Sequence, residues 1–565
     1  MAYYSQAHIC QCLTRLSTLR ANSVVTITGE GQKSGRQFVE EVMGLAGGLL
    51  RVGLHKGDVV AICAFNSDWY LEWLLAVAFV GGIVAPLNYR WSFEEAKSAM
   101  LSVRPAMLVA DGSCDHWYPE LQSNVIPSLK WHVFMGNSPP GFSSKSLNQL
   151  TAETIRKHSM ISPVFNPCWA PDGAVIICFT SGTTGRPKGV IISHSALVVQ
   201  SLAKVAIVGY SEDDVYLHTA PLCHIGGLSS ALAMLMVGAS HVLIPKFEAA
   251  IAIQVIEQYS VTSFITVPAM MADLISLMMA KATCKGSQSV MKILNGGGSL
   301  SAELTENAAK LFPRAKIHSA YGMTEACSSL TFMAVYDPTL QTSGENLQAF
   351  GSTHSGLSHH PQGVCVGKPA PHVELKICAN DPSDQVGRIL TRGPHVMLGY
   401  WDQKPGKGSE SINEAWLDTG DIGSIDIFGN VWLVGRVNGR IKSGGENVYP
   451  EEVEAILLQH PGVSASVVVG IPDARLTEIV VACVKLRETW QWTGSRGKPF
   501  GENKPLLCSD ILRKHCKEKE LTGFKVPKLF ILWTKPYPVT STGKIRREQV
   551  RREVMSYLPS FSSHF

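Results

Sequence analysis

The chain has 565 residues, too many for one compact core, so two or more domains are expected. Hydrophobic residues make up 45% and charged ones 17%, and a formal net charge of +4 over this length gives no reason to expect nucleic acid or a membrane surface as partner. The 14 cysteines stand singly apart from Cys10 and Cys12, without any CxxC pair, which argues against a zinc site or disulfide framework and suits reduced, mostly buried thiols in an intracellular compartment.

In chain order, His8 to Leu16 reads as a first amphipathic helix, although Arg15 and Arg20 with no acid before Glu30 also suit an organellar transit peptide. Apolar residues recur at helical spacing from Gln37 to Leu54, Asp58 to Ala64 reads as a buried strand, Ser67 to Gly82 as a helix and Met107 to Ala110 as a strand. This alternation predicts an α/β architecture. The most apolar stretches, Trp73 to Pro86 and Ile225 to Pro245, are too short or too interrupted to span a bilayer and read as core helices running into strands, so no transmembrane segment is expected. Ser138 to Asn166 is polar and rich in Pro and Ser, which predicts a surface connection. Val261 to Pro268 is a clear strand.

Asp337 to Gly363 and Thr489 to Lys504 are polar and predict mobile insertions. The composition breaks at Gly435 to Gly445, and the pattern then restarts as helix, strand, strand. The predicted domains are therefore 1–438 and 439–565. No internal repeat is present.

The most informative stretch is Thr180 to Gly189, TSGTTGRPKG, between two apolar runs. It reads as strand, loop, strand. Gly182, Gly185 and Gly189 let the backbone approach a bulky anion, Ser181, Thr183 and Thr184 offer hydroxyls, and Arg186 and Lys188 offer charge, which are the parts that hold a polyphosphate. It is no Walker A loop, because Pro187 precedes Lys188, Gly189 follows it, and a strand comes next.

Other segments supply groups that suit the rest of a nucleotide. A triple-glycine turn, Gly296, Gly297 and Gly298, follows an apolar strand, where ligands of α/β proteins collect. In Tyr321-Gly322-Met323-Thr324-Glu325 a flat ring can stack on a purine and Glu325 can ligate Mg2+.

These stretches, with Trp416 to Asp421, Gly435-Arg436 and Pro538 to Lys544, resemble the signature motifs of the adenylate-forming superfamily, which includes acyl-CoA synthetases, luciferases and peptide-synthetase adenylation domains. The resemblance runs from about Val24 to Arg547. It implies a large N-terminal α/β domain of several subdomains and a small mobile C-terminal α+β domain. It implies that ATP is the cofactor, with Mg2+ on Glu325, and that coenzyme A and a small-molecule carboxylic acid are the substrates. By resemblance Thr180, Ser181, Gly182, Thr183, Thr184, Gly185 and Lys188 bind phosphate, Gly296 to Gly298, Tyr321, Gly322 and Thr324 the adenylate, and Asp421 and Arg436 the ribose. Gly444 and Gly445 border the pantetheine channel. His224, in Pro221 to Gly227, would face the acid, and Lys544 would be the catalytic cation, so Lys544, His224, Thr184 and Glu325 are the candidate catalytic residues.

Two positions depart from the family pattern: Gly439 occupies the hinge, and Gly387-Arg388 stands where Gly-Glu is usual. Fatty-acid or 4-coumarate ligases would share every motif. A non-catalytic nucleotide-binding protein would not need both Lys188 and Lys544, and no carrier domain follows Lys544. Within the superfamily, Ala64 to Ser92, Phe264 to Leu274 and Ile293 to Leu300 resemble the plant 2-succinylbenzoate–CoA ligases of phylloquinone synthesis. The particular acid is implied by that resemblance alone, as is a plastid location with peroxisome as the alternative. Ser563-His564-Phe565 does not match an SKL address.

Overall fold

The structure, a computed structural model, describes residues 7–121, 125–136, 148–157, 166–181, 187–280, 285–298, 300, 302–341, 364–379, 385–402, 416–436, 441–448, 450–493, 505–538, 545 and 547–557. The chain forms two compact units, one of Met1–Thr180 with Pro187–Gly435 and a smaller one that holds Arg436–Phe565.

The larger unit is built on three sheets. In the first, the order is Gly399–Tyr400, Pro187–Ser193, Ala174–Ser181, Ile83–Pro86, Val59–Cys63, Met107–Ala110, Trp131–Phe134 and Asn148–Thr151, parallel from Ala174–Ser181 onward. Val59–Cys63 and Met107–Ala110 are buried at every position, which is why their sequences are continuous apolar runs. The second sheet runs Lys368–Pro369, Ser328–Tyr336, Lys316–Met323, Lys292–Asn295, Ser263–Thr266, Val215–His218, Ser240–Leu243, Val24–Thr28 and Gly31–Ser34. It is parallel from Lys316–Met323 through Val24–Thr28. The third has five strands, Val364–Cys365, Val431–Arg436, Leu417–Ile425, Gly387–Arg392 and Glu374–Cys378.

The helices begin where the sequence offers a cap. Ser34 with Gln37 and Ser92 with Glu95 form capping boxes, and Ser67 accepts the backbone N–H of Tyr70 at 3.2 Å. The two most apolar stretches are core helices that lead into strands: Asp68–Phe79 into Ile83–Pro86, and Ile225–Val237 into Ser240–Leu243. Gln11–Thr18 is the first helix, and it buries Cys12, Leu13 and Leu16. Every described cysteine is a free thiol, and most are buried. Among the described residues no helix is long and apolar enough to cross a membrane.

Three expectations need correction or qualification. The stretch 138–166 is not only a surface connection. It contains the edge strand Asn148–Thr151 and the helix Ala152–Lys157, which buries Ala152 and Ile155. Gly48 fits beneath this helix because a Cβ there would collide with the carbonyl of Ile155. Polarity misleads here because Arg156 is neutralised from within, by Glu41 at 2.8 Å and fully buried Glu72 at 2.8 Å. Lys33 completes the cluster, 2.5 Å from Glu72 and 2.8 Å from Asp68. Of the stretch 337–363, residues 338–341 form a helical turn, and 342–363 lie outside the described residues, as do 494–504 of the second expected insertion.

In the smaller unit the hairpin Val463–Asp473 and Thr477–Leu486 carries Ile441–Ser443, Glu446–Val448 and Leu529–Leu532, with helices Pro450–Leu457, Ser509–Glu518 and Arg547–Tyr557. The charged run RREQVRREV reads from the sequence as a solvated terminal helix with Glu548 pairing to Arg552 at i,i+4, but this last helix is not merely solvated. Val550 and Val554 are buried, Arg547 binds Glu454 at 2.9 Å and Arg551 binds Glu478 at 3.0 Å. Glu548 meets Arg551 at i,i+3, at 3.8 Å, where pairing with Arg552 was expected.

Removing Glu72 would leave Lys33 and Arg156 partly buried without their shared anion. We expect Glu72→Ala to destabilise the larger unit by about 3 kcal/mol, read as a lower urea midpoint, since breaking one side of a buried ion cluster strands the other.

Candidate active site

In the second sheet the strands Lys316–Met323, Lys292–Asn295, Ser263–Thr266 and Val215–His218 stand side by side, and Ser240–Leu243 lies beyond Val215–His218. Strand order therefore reverses between Val215–His218 and Ser263–Thr266. Connections depart to opposite sides at such a reversal and open a crevice at the strands' C-terminal ends. The segments that leave those ends are Thr219 to His224, Val267-Pro268, Asn295 to Gly298 and Tyr321 to Glu325, so the topology gathers three of the sequence motifs.

Thr219 to His224 is pinned from below. Buried Asn66 donates from Nδ2 to Ala220 O at 3.0 Å and accepts the Leu222 N–H at 2.8 Å. His218 and His241 stack, with Nε2 and Nδ1 2.9 Å apart, and burial lowers the pKa of both, which keeps them neutral. His224 is the N-cap of Ile225–Val237 and remains partly exposed. Gly227 must be glycine, because a Cβ would collide with the Pro221 carbonyl.

The triple glycine is organised by Asn295, which is fully buried and donates from Nδ2 to Gly298 O at 2.7 Å. Gly296 N–H donates to Thr266 O at 2.9 Å and Gly297 takes φ 71°, a conformation that favours glycine.

Tyr321 to Glu325 ends one strand and turns back. Gly322 lies against the next strand so closely that a Cβ would overlap Ser328 O. A single turn of 3-10 helix, Thr324–Ala326, then directs Glu325 inward. Gln200 holds this turn by donating to Ala326 O at 3.2 Å and Ser329 O at 2.5 Å.

Asp421 is placed by a bulge. Against Gly387–Arg392, Leu390 faces Asp418 but Arg388 faces Ile422, so extra residues of the Leu417–Ile425 strand are extruded. Thr419 Oγ1 donates to Ile389 O at 2.8 Å and accepts Asp421 N–H at 3.1 Å, Asp418 accepts Gly420 N–H at 2.9 Å, and Gly420 has φ 72°. The Thr-Gly-Asp order is thus the chemistry of the bulge. Arg388 pairs with Asp418, which gives the departure at Gly387-Arg388 a local role.

Two tyrosine–carboxylate bonds join these pieces. Tyr321 Oη donates to Asp421 Oδ2 at 2.6 Å, across 100 positions of sequence and between two sheets. Tyr400 Oη donates to Glu325 Oε1 at 3.0 Å, while Oε2 of Glu325 is buried without a hydrogen-bond partner. Lys188 Nζ lies 5.4 Å from the centre of the Tyr400 ring, within cation–π range. Tyr400 arrives there because Gly399–Tyr400 pairs with Pro187–Ser193, with Tyr400 opposite Val190. Sequence reading missed Tyr400, Asn66 and Gln200. A tyrosine after a glycine, Gly399-Tyr400, was the one visible signal.

Gly189 has a packing role, since a Cβ there would come within 2.7 Å of Ile177 Cγ2. It makes room in the sheet beside Ile177. Gly444 and Gly445, with φ 60° and 86°, form the two-residue turn between Ser443 and Glu446 in the smaller unit. Thr180 is buried at the end of its strand. Gly182, Thr183, Thr184, Gly185, Gly439 and Lys544 lie outside the described residues, and of Ser181 and Arg436 only the backbone is described.

The model of the AMP-binding enzyme family matches residues 17–401, and that of the AMP-binding enzyme C-terminal domain matches 452–544. The chain belongs to the AMP-binding, adenylate-forming enzyme family. It is 56% identical, over all of both chains, to the "2-succinylbenzoate--CoA ligase, chloroplastic/peroxisomal" of Arabidopsis thaliana. Among solved structures, a double mutant of the o-succinylbenzoate CoA synthetase from Bacillus subtilis, bound with a product analogue, superposes with TM-score 0.72 at 25% identity and covers 96% of this chain and 98% of that one. An amide bond synthetase from Marinactinospora thermotolerans shares the fold, with TM-score 0.76 at 24% identity over 97% of this chain and 99% of its own.

The Tyr321–Asp421 bond makes a prediction of its own. Tyr321→Phe keeps the ring but leaves Asp421 without this donor, and we expect KM for ATP to rise about tenfold, from loss of about 1.5 kcal/mol. Acid-dependent ATP–pyrophosphate exchange over a range of ATP concentrations measures it.

Proposed function

We propose that this chain is an ATP-dependent acid–thiol ligase that converts 2-succinylbenzoate to its CoA thioester. The observation that carries the reading is the 56% identity across the full length of both chains to the Arabidopsis enzyme of that name. The Bacillus subtilis structure, whose ligand is an analogue of the same product, supports it. The reaction has two steps. A carboxylate oxygen of the acid attacks the α-phosphate of ATP, and pyrophosphate leaves. The thiol of coenzyme A then attacks the acyl carbonyl, and AMP leaves with the electrons of the broken C–O bond.

Each residue has a task defined by charge. Lys188 and the loop from Thr180 to Gly185 hold the β- and γ-phosphates as the leaving group. Lys544, reaching the site from a mobile domain that we take as 439–565, meets the negative charge that develops at the α-phosphate. Tyr321 and the Gly296 to Gly298 turn flank the purine, Asp421 and Arg436 take the ribose hydroxyls, and His224 faces the carboxylate. Gly444 and Gly445 approach the pantetheine arm in the second step. The orphaned, buried Oε2 of Glu325 fits Mg2+, a hard cation that takes few protein ligands beside phosphate oxygens and water, and bound there it would screen the charge of ATP. We place the protein in the plastid, with the peroxisome as the alternative, after the location in the Arabidopsis enzyme's name.

A panel of acids assayed for AMP release with ATP and coenzyme A tests the substrate. 2-Succinylbenzoate should turn over best, and preference for a fatty acid or 4-coumarate would overturn the choice. Lys544→Ala should slow adenylation about 100- to 1000-fold while thioester formation from preformed acyl-adenylate persists. Unchanged adenylation would refute the mechanism. Glu325→Gln should raise the Mg2+ concentration for half-maximal exchange by about tenfold or more.

A further inference from the structure

The hairpin that carries Glu325 is strained, and one side chain braces it. Lys316–Met323 and Ser328–Tyr336 are antiparallel partners with Met323 opposite Ser328, so Glu325 lies in the short connection 324–327. Tight connections of this kind favour glycine where φ is positive. Here the two consecutive residues with positive φ are Cys327, at 53°, and Ser328, at 110°. Side chains rarely adopt such conformations, and the strain persists only where surrounding contacts enforce it.

Cys327 is enforced by packing. It is fully buried in an apolar core, and its N–H donates to Thr324 O at 2.9 Å. Ser328 has a weaker anchor, since its side chain is only partly buried and its hydroxyl lies 3.4 Å from that of Ser329. The contact that spans both residues comes from Gln200. Its Nε2 donates to Ala326 O and Ser329 O, the carbonyls on either side of the strained pair. Two carbonyl acceptors fix the orientation of the amide, and its Oε1 is left buried without a hydrogen-bond partner. Gln200 is itself fully buried, so a methionine of similar length would fill the space without that cost. A methionine would not hold two carbonyls at a fixed spacing. Gln200 also belongs to the helix His194–Lys204, which follows directly on the strand that carries Lys188.

We propose that Gln200 is a positioning residue: its amide holds the strained Cys327–Ser328 step and so presents the Glu325 carboxylate for Mg2+. The inference rests on the reading of Glu325 as the Mg2+ ligand. Without the amide, Ser328 relaxes to negative φ and the turn carries Glu325 out of place. Glycine at 328 would adopt positive φ at little cost, which removes the need for the brace.

The test compares the full-length wild type with Gln200→Met, Ser328→Gly, the double variant and Glu325→Gln. One readout is the affinity for the Mn2+ complex of α,β-methylene-ATP, measured by water-proton relaxation, and the other is the Mg2+ concentration for half-maximal ATP–pyrophosphate exchange. Gln200→Met should weaken binding of the Mn2+ complex about tenfold and raise the Mg2+ requirement to match, while KM for the acid is unchanged. Ser328→Gly alone should alter neither. In the double variant it should restore most of the loss, a rescue that a packing defect at Gln200 would not show. Three results would mark Gln200 as a strut and overturn the proposal: undiminished metal affinity in Gln200→Met, a loss that Ser328→Gly does not recover, or failure of Gln200→Met to fold with and without Ser328→Gly. Glu325→Gln separates the two readings. If it leaves metal affinity intact, the metal reading fails and the proposal falls with it; if it weakens binding and Gln200→Met does not, only the proposal fails.

Discussion

A carboxylate buried in protein is costly unless its charge is met, and this site is arranged around two of them. Glu325 and Asp421 are both almost wholly buried, and each accepts a tyrosine hydroxyl, from Tyr400 and Tyr321 respectively. A phenol satisfies one oxygen of a carboxylate without neutralising it. Demand at the unpartnered oxygen of Glu325 is then open to a cation that enters the crevice. The metal ion of the proposed nucleotide would supply that cation. The tyrosines also set distances. Tyr321 ties the end of one sheet to a bulge in another, and Tyr400 ties the Thr324–Ala326 turn to the strand that carries Lys188. The residues proposed as purine platform, ribose anchor, metal ligand and phosphate cation are therefore held in one frame.

That frame depends on backbone as much as on side chains. Gly322 lets two strands approach where a Cβ would overlap Ser328 O, and without that approach the turn bearing Glu325 would be displaced. The bulge at Asp421 needs Gly420 in a left-handed conformation and Thr419 to occupy the freed backbone groups. Both motifs combine a glycine whose geometry is required with an acid that the geometry presents. Their short, fixed spacing follows from this, because an added residue would turn the acid away from the crevice.

Such local requirements explain what was legible in the sequence. The central strands were readable from unbroken apolar runs, and the core helices from their length and their exits into strands. Motifs whose geometry is local, such as Tyr321 to Glu325 and Trp416 to Asp421, could be read as units. What could not be read depends on partners distant in sequence. Tyr400 gains its meaning only from pairing with Pro187–Ser193, and Asn66 only from reaching a loop more than 150 positions away. Composition misled where charge is compensated internally, as at Arg156 and in the terminal helix, whose arginines bind Glu454 and Glu478.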